Sequence, residues 1–175
     1  ESRFRKERQI LARLEHPHIA RFVDGGMSPM GSFFAMEFIE GENLMEYADA
    51  HQLGIRERIE LYLQLCSAVS FAHTHLVVHR DLKPSNVMVT RQGQVKLLDF
   101  GIAKILADES VPVVNPLTET GIGPMTPQYA SPEQYLKLPI TTTTDVYGLG
   151  LVLYELLTGF RAYDFKDRSL REIDA

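Results

Sequence analysis

Asp81, Lys83, Asn86 and Asp99 are the side chains of this sequence best suited to carry out chemistry. The carboxylate of Asp81 can accept a proton from a hydroxyl group, and Lys83 supplies a positive charge two residues later. Asn86 offers an amide oxygen and Asp99 a carboxylate, and both are hard oxygen ligands suited to Mg²⁺. The sequence therefore predicts a site that accepts a proton and binds a metal ion.

A β-hairpin is predicted to hold these residues together. The apolar runs 87–90 and 95–98 flank the turn-forming segment 91–94, which is the pattern of two short strands and a tight turn. Asn86 directly precedes the first run and Asp99 directly follows the second. The two metal-ligand candidates should therefore lie at the same end of the hairpin.

The first part of the chain is predicted to form a helix followed by a second hairpin. Residues 3–14 have apolar side chains at helical spacing, and Glu7 lies on that inward stripe, where a carboxylate needs a cationic partner. The strand-like runs 19–23 and 33–39 are joined by the turn-rich residues 24–29.

Two longer apolar patterns predict helices in the rest of the chain. One covers 55–75, and the other begins at Asp145, which can cap a helix, and ends at Gly159. Residues 101–132 have weak periodicity and several prolines, which is typical of a long functional loop. The predicted buried face of the first helix consists of Ile59, Tyr62, Leu63, Cys66 and Val69.

The composition excludes several classes of protein. The 175 residues are 45% hydrophobic and 23% charged, as in ordinary globular domains, and the net charge of −5 predicts no binding to nucleic acid. No apolar run is long enough to cross a bilayer. Cys66 is the single cysteine, so we expect a reducing, cytoplasmic location, although a longer parent protein could be membrane-anchored. The charged start at Glu1 suggests that upstream residues are missing.

The run His79-Arg80-Asp81-Leu82-Lys83-Pro84-Ser85-Asn86, followed by Asp99-Phe100-Gly101, resembles the signature of the protein kinase family. The resemblance covers essentially the whole chain. It implies an α+β, two-lobed protein kinase-like fold that is incomplete at both ends, with a partial small lobe over 1–37 and a partial large lobe over 38–175. The sequences of other segments, such as Tyr-Ala-Ser-Pro-Glu-Gln, resemble those of the eukaryotic-like Ser/Thr kinases of bacteria.

The resemblance implies transfer of the γ-phosphate of ATP, with Mg²⁺ or Mn²⁺, to Ser or Thr hydroxyls of a protein substrate. Asp81 and Lys83 would be catalytic, and Asn86 and Asp99 would bind the metal. The residues implied in ATP binding are Glu7 as the helix C glutamate, Met36 as the gatekeeper, Glu37 and Ile39 through their backbones, and Met88 under the adenine. The glycine-rich loop and the phosphate-binding lysine are absent from this sequence, so the chain alone should be inactive.

Regulatory residues are implied in the same way. Arg80 beside Asp81 suggests control by phosphorylation of the loop, with Thr118 and Thr120 as the best acceptors. Thr126 resembles the threonine that hydrogen-bonds the catalytic Asp and Lys. Glu133 resembles the glutamate of the Ala-Pro-Glu motif, which pairs with a later arginine. His79 would join a stacked column anchored by Asp145.

Three other interpretations compete with an active protein kinase. A pseudokinase-like scaffold would keep the fold without turnover, but Asp81, Asn86 and Asp99 are all in place. A phosphotransferase acting on small molecules would not need the long loop that ends in Ser131-Pro132-Glu133. The third is a zinc site, which the spacing of His73, His75 and His79 superficially suggests.

Overall fold

The structure is a computed structural model that describes residues 14–28, 31–99 and 127–163. Most of the helix predicted over 3–14 and of the loop predicted over 101–132 lies outside these ranges. Two 3₁₀ turns, Pro84–Asn86 and Pro127–Tyr129, accompany the main elements. In chain order the elements are β1 (Phe22–Ser28), β2 (Gly31–Met36), β3 (Gly41–Asn43), α1 (Leu44–Ala50), α2 (Ile55–Thr74), β4 (Val87–Thr90), β5 (Val95–Leu97), α3 (Pro132–Tyr135) and α4 (Thr142–Thr158).

Strands β1 and β2 form the hairpin predicted over residues 19–39, but β1 lies later in the chain than expected. The pairing runs from Phe22 opposite Met36 to Ser28 opposite Gly31. Residues 24–28 were predicted as a turn and belong to β1, because each has a partner on β2 and ladder pairing outweighs the local turn preference.

Strands β3, β4 and β5 form an antiparallel sheet, which confirms the predicted hairpin around residues 91–94. Ile19, expected in the other hairpin, instead forms a parallel bridge with Leu97. The amide of Leu97 donates to the carbonyl of His18 and the amide of Ala20 donates to that of Leu97, both at 2.9 Å. The segment before β1 is therefore attached to the sheet that carries the predicted site.

Helix α2 has the predicted bounds within one residue, but its buried face is only partly the predicted one: Tyr62, Cys66 and Val69 pack on the core. Ile59 and Leu63 are 38% and 59% exposed, so their predicted burial is wrong. Apolar residues occur on both sides of this helix, and packing against α4 and β5 decides which side is covered. The buried residues are Leu61, Leu65, Ala68, Val69 and Ala72, of which only Val69 was predicted.

Helix α4 ends at Gly159 as predicted, but it begins earlier than Asp145. Thr141 is the N-cap, with its side chain accepting a hydrogen bond from the amide of Thr143, and Gly159 ends the helix with a φ of 76°. Asp145 is 1% exposed and points inward from the first turn. Its carboxylate can therefore accept hydrogen bonds from the loop that contains His79 and Arg80.

No helix within the described ranges is long and apolar enough to cross a membrane.

Arg58 ties three helices together, and we expect its removal to cost about 2–3 kcal/mol of folding free energy. Its guanidinium donates to the carbonyls of Leu156 at 2.8 Å and Leu53 at 2.9 Å, and to Asp49 Oδ1 at 2.8 Å. The Leu156 carbonyl lies in the last turn of α4, where no helical donor follows. Urea unfolding of Arg58→Ala within a complete domain measures the loss.

Arg56→Ala is the matched control on the same helix. Arg56 is exposed and, among the described residues, pairs with Glu60 one turn later, so its loss should cost less than about 0.5 kcal/mol. Equal unfolding midpoints for the two variants would show that Arg58 has no such role.

Candidate active site

The carboxylate of Asp145 holds the loop that contains His79, Arg80 and Asp81. Its Oδ2 accepts from the backbone amide of His79 at 2.8 Å, and its Oδ1 accepts from that of Arg80 at 2.9 Å. His73 Nε2 lies 2.7 Å from Oδ2 on the other side. Arg80 adopts a φ of +69°, an unfavourable value for a side chain with a Cβ, and these bonds stabilise it. Asp145 therefore holds the backbone of His79 and Arg80 in place, while the stacked column implied by the kinase resemblance stays a prediction.

The ring of His79 links the loop to the end of β5. It is fully buried, and its Nε2 lies 2.8 Å from the carbonyl of Leu98. Because a carbonyl can only accept, Nε2 carries the hydrogen, and Nδ1 accepts from the amide of Asp81 at 3.3 Å. Burial lowers the pKa of His79, which fits this neutral form. The ring of His79 thus connects the backbone of Asp81 to the backbone of Leu98, the residue before Asp99.

The structure brings Asp81, Lys83 and Asn86 into one cluster. Lys83 Nζ lies 2.8 Å from Asp81 Oδ2, and Asn86 Nδ2 lies 3.3 Å from the same oxygen. The side chains of Asp81 and Lys83 are each 20% exposed, so a ligand can reach them from solvent. The cluster can accept a proton from a hydroxyl group and place a cation beside a negatively charged reactant.

Asn86 and Asp99 lie at the same end of the β4–β5 hairpin, as predicted. Val87 pairs with Leu97, and the amide of Leu98 donates to the backbone carbonyl of Asn86 at 2.8 Å. Asn86 Nδ2 donates to the carbonyl of Asp81 at 2.8 Å, so its Oδ1 is the oxygen left to bind a ligand. An amide oxygen and an exposed carboxylate fit a hard divalent cation.

Asn43 is a site residue that the sequence analysis missed. Its Nδ2 donates to the carbonyl of Pro84 at 2.7 Å, and its Oδ1 accepts from the amide of Met45 at 3.1 Å, which caps α1. An Asn directly before a helical segment signals a cap. Its second bond, across 41 residues of chain, has no sequence signal.

The residues implied in adenine binding lie on connected elements. Met36 ends β2, Glu37 and Ile39 lie in the connection to β3, and Met88 lies on β4 opposite Asn43. Glu37 Oε1 accepts from Lys96 Nζ at 2.9 Å. Burial raises the pKa of Glu37, but the hydrogen bonds from the Arg21 amide and from Lys96 lower it by more, so the carboxylate is charged.

The segment from Tyr129 to Thr144 is fixed against the site and against α4. Gln134 Nε2 donates to the carbonyl of Arg80 at 2.8 Å, and Thr144 Oγ1 donates to Glu133 at 2.6 Å. The bond from Thr144 lowers the pKa of Glu133. Tyr129 also donates to Glu155 of α4. The arginine predicted to pair with Glu133 stays a prediction.

Four of the predicted functional residues lie outside the described ranges. They are Glu7, Thr118, Thr120 and Thr126.

The histidines of the suggested zinc site have other partners. His73 contacts Asp145, His75 Nδ1 lies 2.9 Å from the carbonyl of Phe71, and His79 contacts Leu98. In the part of the chain that the structure describes, no three His, Cys, Asp or Glu side chains could together hold a metal ion. His73 and His79 organise the loop instead, and His75 contacts the end of its own helix.

Comparison with known proteins points to one family. The family profile described as "Protein kinase domain" matches residues 1–174. The chain is 39% identical over 164 residues to a probable serine/threonine-protein kinase PknB of Lactococcus lactis, and 37% identical over 163 residues to PrkC of Bacillus subtilis. These matches cover 93% of this chain but only 25% and 24% of the relatives, so the chain spans about a quarter of their length.

Solved structures agree with the sequence relatives. The kinase domain of Mycobacterium tuberculosis PknI is similar with a TM-score of 0.72 and 27% identity, over 96% of this chain and 61% of that one. A second PknI structure gives a TM-score of 0.73 at 25% identity. These matches confirm the predicted kinase-like fold.

Proposed function

Because this chain belongs to the protein kinase domain family, we propose that its described loops carry the phosphate-transfer site of a bacterial-type Ser/Thr protein kinase. Asp81 accepts or orients the proton of a Ser or Thr hydroxyl on a protein substrate. Lys83 stabilises the negative charge of the transferring γ-phosphoryl group. The observation that carries the proposal is the contact of Lys83 and Asn86 with the same oxygen of Asp81.

Asn86 and Asp99 are proposed to hold the divalent cation that protein kinases use with ATP. When bound, Mg²⁺, or Mn²⁺ in its place, neutralises phosphate charge. The support is the donor set, since Asn86 keeps its Oδ1 while its amide nitrogen is bound to Asp81. Leu98, bound to both His79 and Asn86, aligns the Asp99 backbone with this oxygen.

The remaining assignments are part of the same proposal. The adenine of ATP lies between the 37–40 connection and Met88, with Glu7 pairing to a lysine outside this sequence. Arg80, Thr118, Thr120 and Thr126 act in control of the loop, and the lobes divide between residues 37 and 38. The domain works in the cytoplasm, which supplies ATP and whose reducing environment suits the single cysteine, Cys66. It does not bind nucleic acid.

A pseudokinase-like scaffold is the second candidate, and the structure offers it less support. A scaffold has no need for a cation 2.8 Å from the catalytic carboxylate in a solvent-accessible position. Nor does it need the left-handed backbone of Arg80 that Asp145 stabilises.

Identification of the phosphorylated amino acid tests the proposal. We would incubate the longer protein that contains this chain with labelled ATP, Mg²⁺ and a basic protein substrate, and then hydrolyse the products to single amino acids. Phosphoserine or phosphothreonine is expected. Phosphotyrosine alone, or no labelled amino acid from a folded protein that binds ATP, would contradict the proposal.

A further inference from the structure

The buried carbonyl of Pro84 receives hydrogen bonds from two sides. Within the 3₁₀ turn Pro84–Asn86, the amide of Val87 donates to it. From outside the turn, Asn43 Nδ2 donates to the same oxygen at 2.7 Å. A carbonyl oxygen has two lone pairs, so these two donors satisfy it fully. The turn that carries Asn86 is thus closed from within by Val87 and from outside by Asn43.

Asn43 is well fixed as a donor. Its Oδ1 is bound to the amide of Met45, and its backbone pairs with Met88 in the sheet. Two residues earlier, Gly41 approaches β4 so closely that a Cβ there would lie 2.2 Å from the carbonyl oxygen of Val89. Strand β3 is therefore packed directly on β4, and the side-chain amide of Asn43 has little freedom to turn away.

We propose that Asn43 is a positioning residue, whose side-chain amide closes the Pro84–Asn86 turn and thereby orients Asn86 for the metal ion. The inference rests on the function proposed above. Asn86 follows Pro84 by two residues, and its amide nitrogen must reach both the carbonyl and the carboxylate of Asp81. A shift of the turn would move Asn86 Oδ1 relative to Asp99.

The substitution Asn43→Asp separates this role from helix capping. Asp is as good an N-cap as Asn, so the bond from the Met45 amide is kept. A carboxylate cannot donate, however, and it would set a negative oxygen against the carbonyl of Pro84. The variant thus removes the bond to the turn and leaves α1 capped.

Gln64→Glu is the matched control at the other end of the same hairpin. Gln64 Nε2 donates to the carbonyl of Gly93 at 3.2 Å, and its Oε1 accepts from the amide of Val95 at 2.9 Å. The substitution makes the same amide-to-carboxylate change in a side chain that also bridges two backbone groups. The changed contacts lie at the turn end of the β4–β5 hairpin, and Asn86 lies at the opposite end.

The measurement is Mn²⁺ binding by electron paramagnetic resonance, on the longer protein with a non-hydrolysable ATP analogue. We expect Asn43→Asp to raise the Kd of Mn²⁺ about three- to tenfold, the equivalent of one hydrogen bond. Hydrogen exchange at the Val87 amide should speed up by a similar factor without nucleotide. Gln64→Glu should leave the Mn²⁺ affinity unchanged.

The other outcomes overturn the inference in distinguishable ways. If Asn86→Ala weakens Mn²⁺ binding and Asn43→Asp does not, the positioning role is wrong while the proposed metal site stands. If Gln64→Glu weakens binding as much as Asn43→Asp, the effect is a general loosening of the hairpin. If Asn86→Ala has no effect, the proposed metal site itself is wrong and the inference falls with it.

Discussion

Replacing Asp81 with Asn is expected to lower the rate of phosphate transfer by about 10²- to 10⁴-fold, the usual contribution of a positioned proton acceptor. Asn has nearly the same shape, so the loop should keep its hydrogen bonds through the backbone of Asp81. It cannot take a proton from a hydroxyl group, and it loses the ion pair with Lys83. Steady-state kinetics with saturating ATP and a Ser-containing peptide measure the effect on kcat.

The control for Asp81→Asn is the same substitution at Asp49. This carboxylate is exposed on α1, where it contacts Arg58 rather than the cluster of Asp81, Lys83 and Asn86. Asp49→Asn should leave kcat unchanged, and affinity for an ATP analogue should be retained in both variants. A kcat for Asp81→Asn close to that of the unchanged protein would remove Asp81 from the catalytic role.

Replacing Asp145 with Ala is expected to destabilise the fold by about 3–5 kcal/mol, because each buried donor that loses its acceptor costs about 1–3 kcal/mol. The carboxylate is buried and contacts the amides of His79 and Arg80 as well as the ring of His73. With Ala in its place, two backbone donors in the interior lose their acceptor. The left-handed Arg80 would also lose its stabilising contact.

Urea unfolding, with Asp49→Ala as the comparison, measures this loss. The exposed ion pair of Asp49 should contribute less than about 1 kcal/mol. Asp145→Asn, which keeps one acceptor oxygen, should fall between the two. An unfolding free energy for Asp145→Ala within 1 kcal/mol of the unchanged protein would contradict the anchoring role.

Local pattern was sufficient where the structure depends on neighbours in sequence. The β4–β5 hairpin was predicted because its turn residues stand between two apolar runs, and the bounds of α2 followed from its long helical periodicity. The fold class followed from the resemblance of residues 79–86 and 99–101 to the signature of the protein kinase family. The structure also places Asn86 and Asp99 at one end of this hairpin, as expected.

Features that depend on distant contacts were missed. The buried face of α2 is chosen by α4 and β5, which spacing within α2 does not encode. Strand β1 continues through Asp-Gly-Gly because β2 supplies hydrogen-bonding partners. The contacts of Asn43 with Pro84 and of Gln134 with Arg80 join segments 41 and 54 residues apart. Such pairs become visible only when the chain is folded.

The most direct measurement is rapid-quench transfer of labelled γ-phosphate from ATP to a peptide with a single Ser, using the longer protein that contains this chain. We predict transfer that requires a divalent cation, stops when the cation is chelated and disappears when the Ser of the peptide is replaced by Ala. Transfer that persists without a divalent cation, or its absence from a folded protein that binds ATP and the metal, would contradict a metal-dependent Ser/Thr kinase site built on Asp81, Lys83, Asn86 and Asp99.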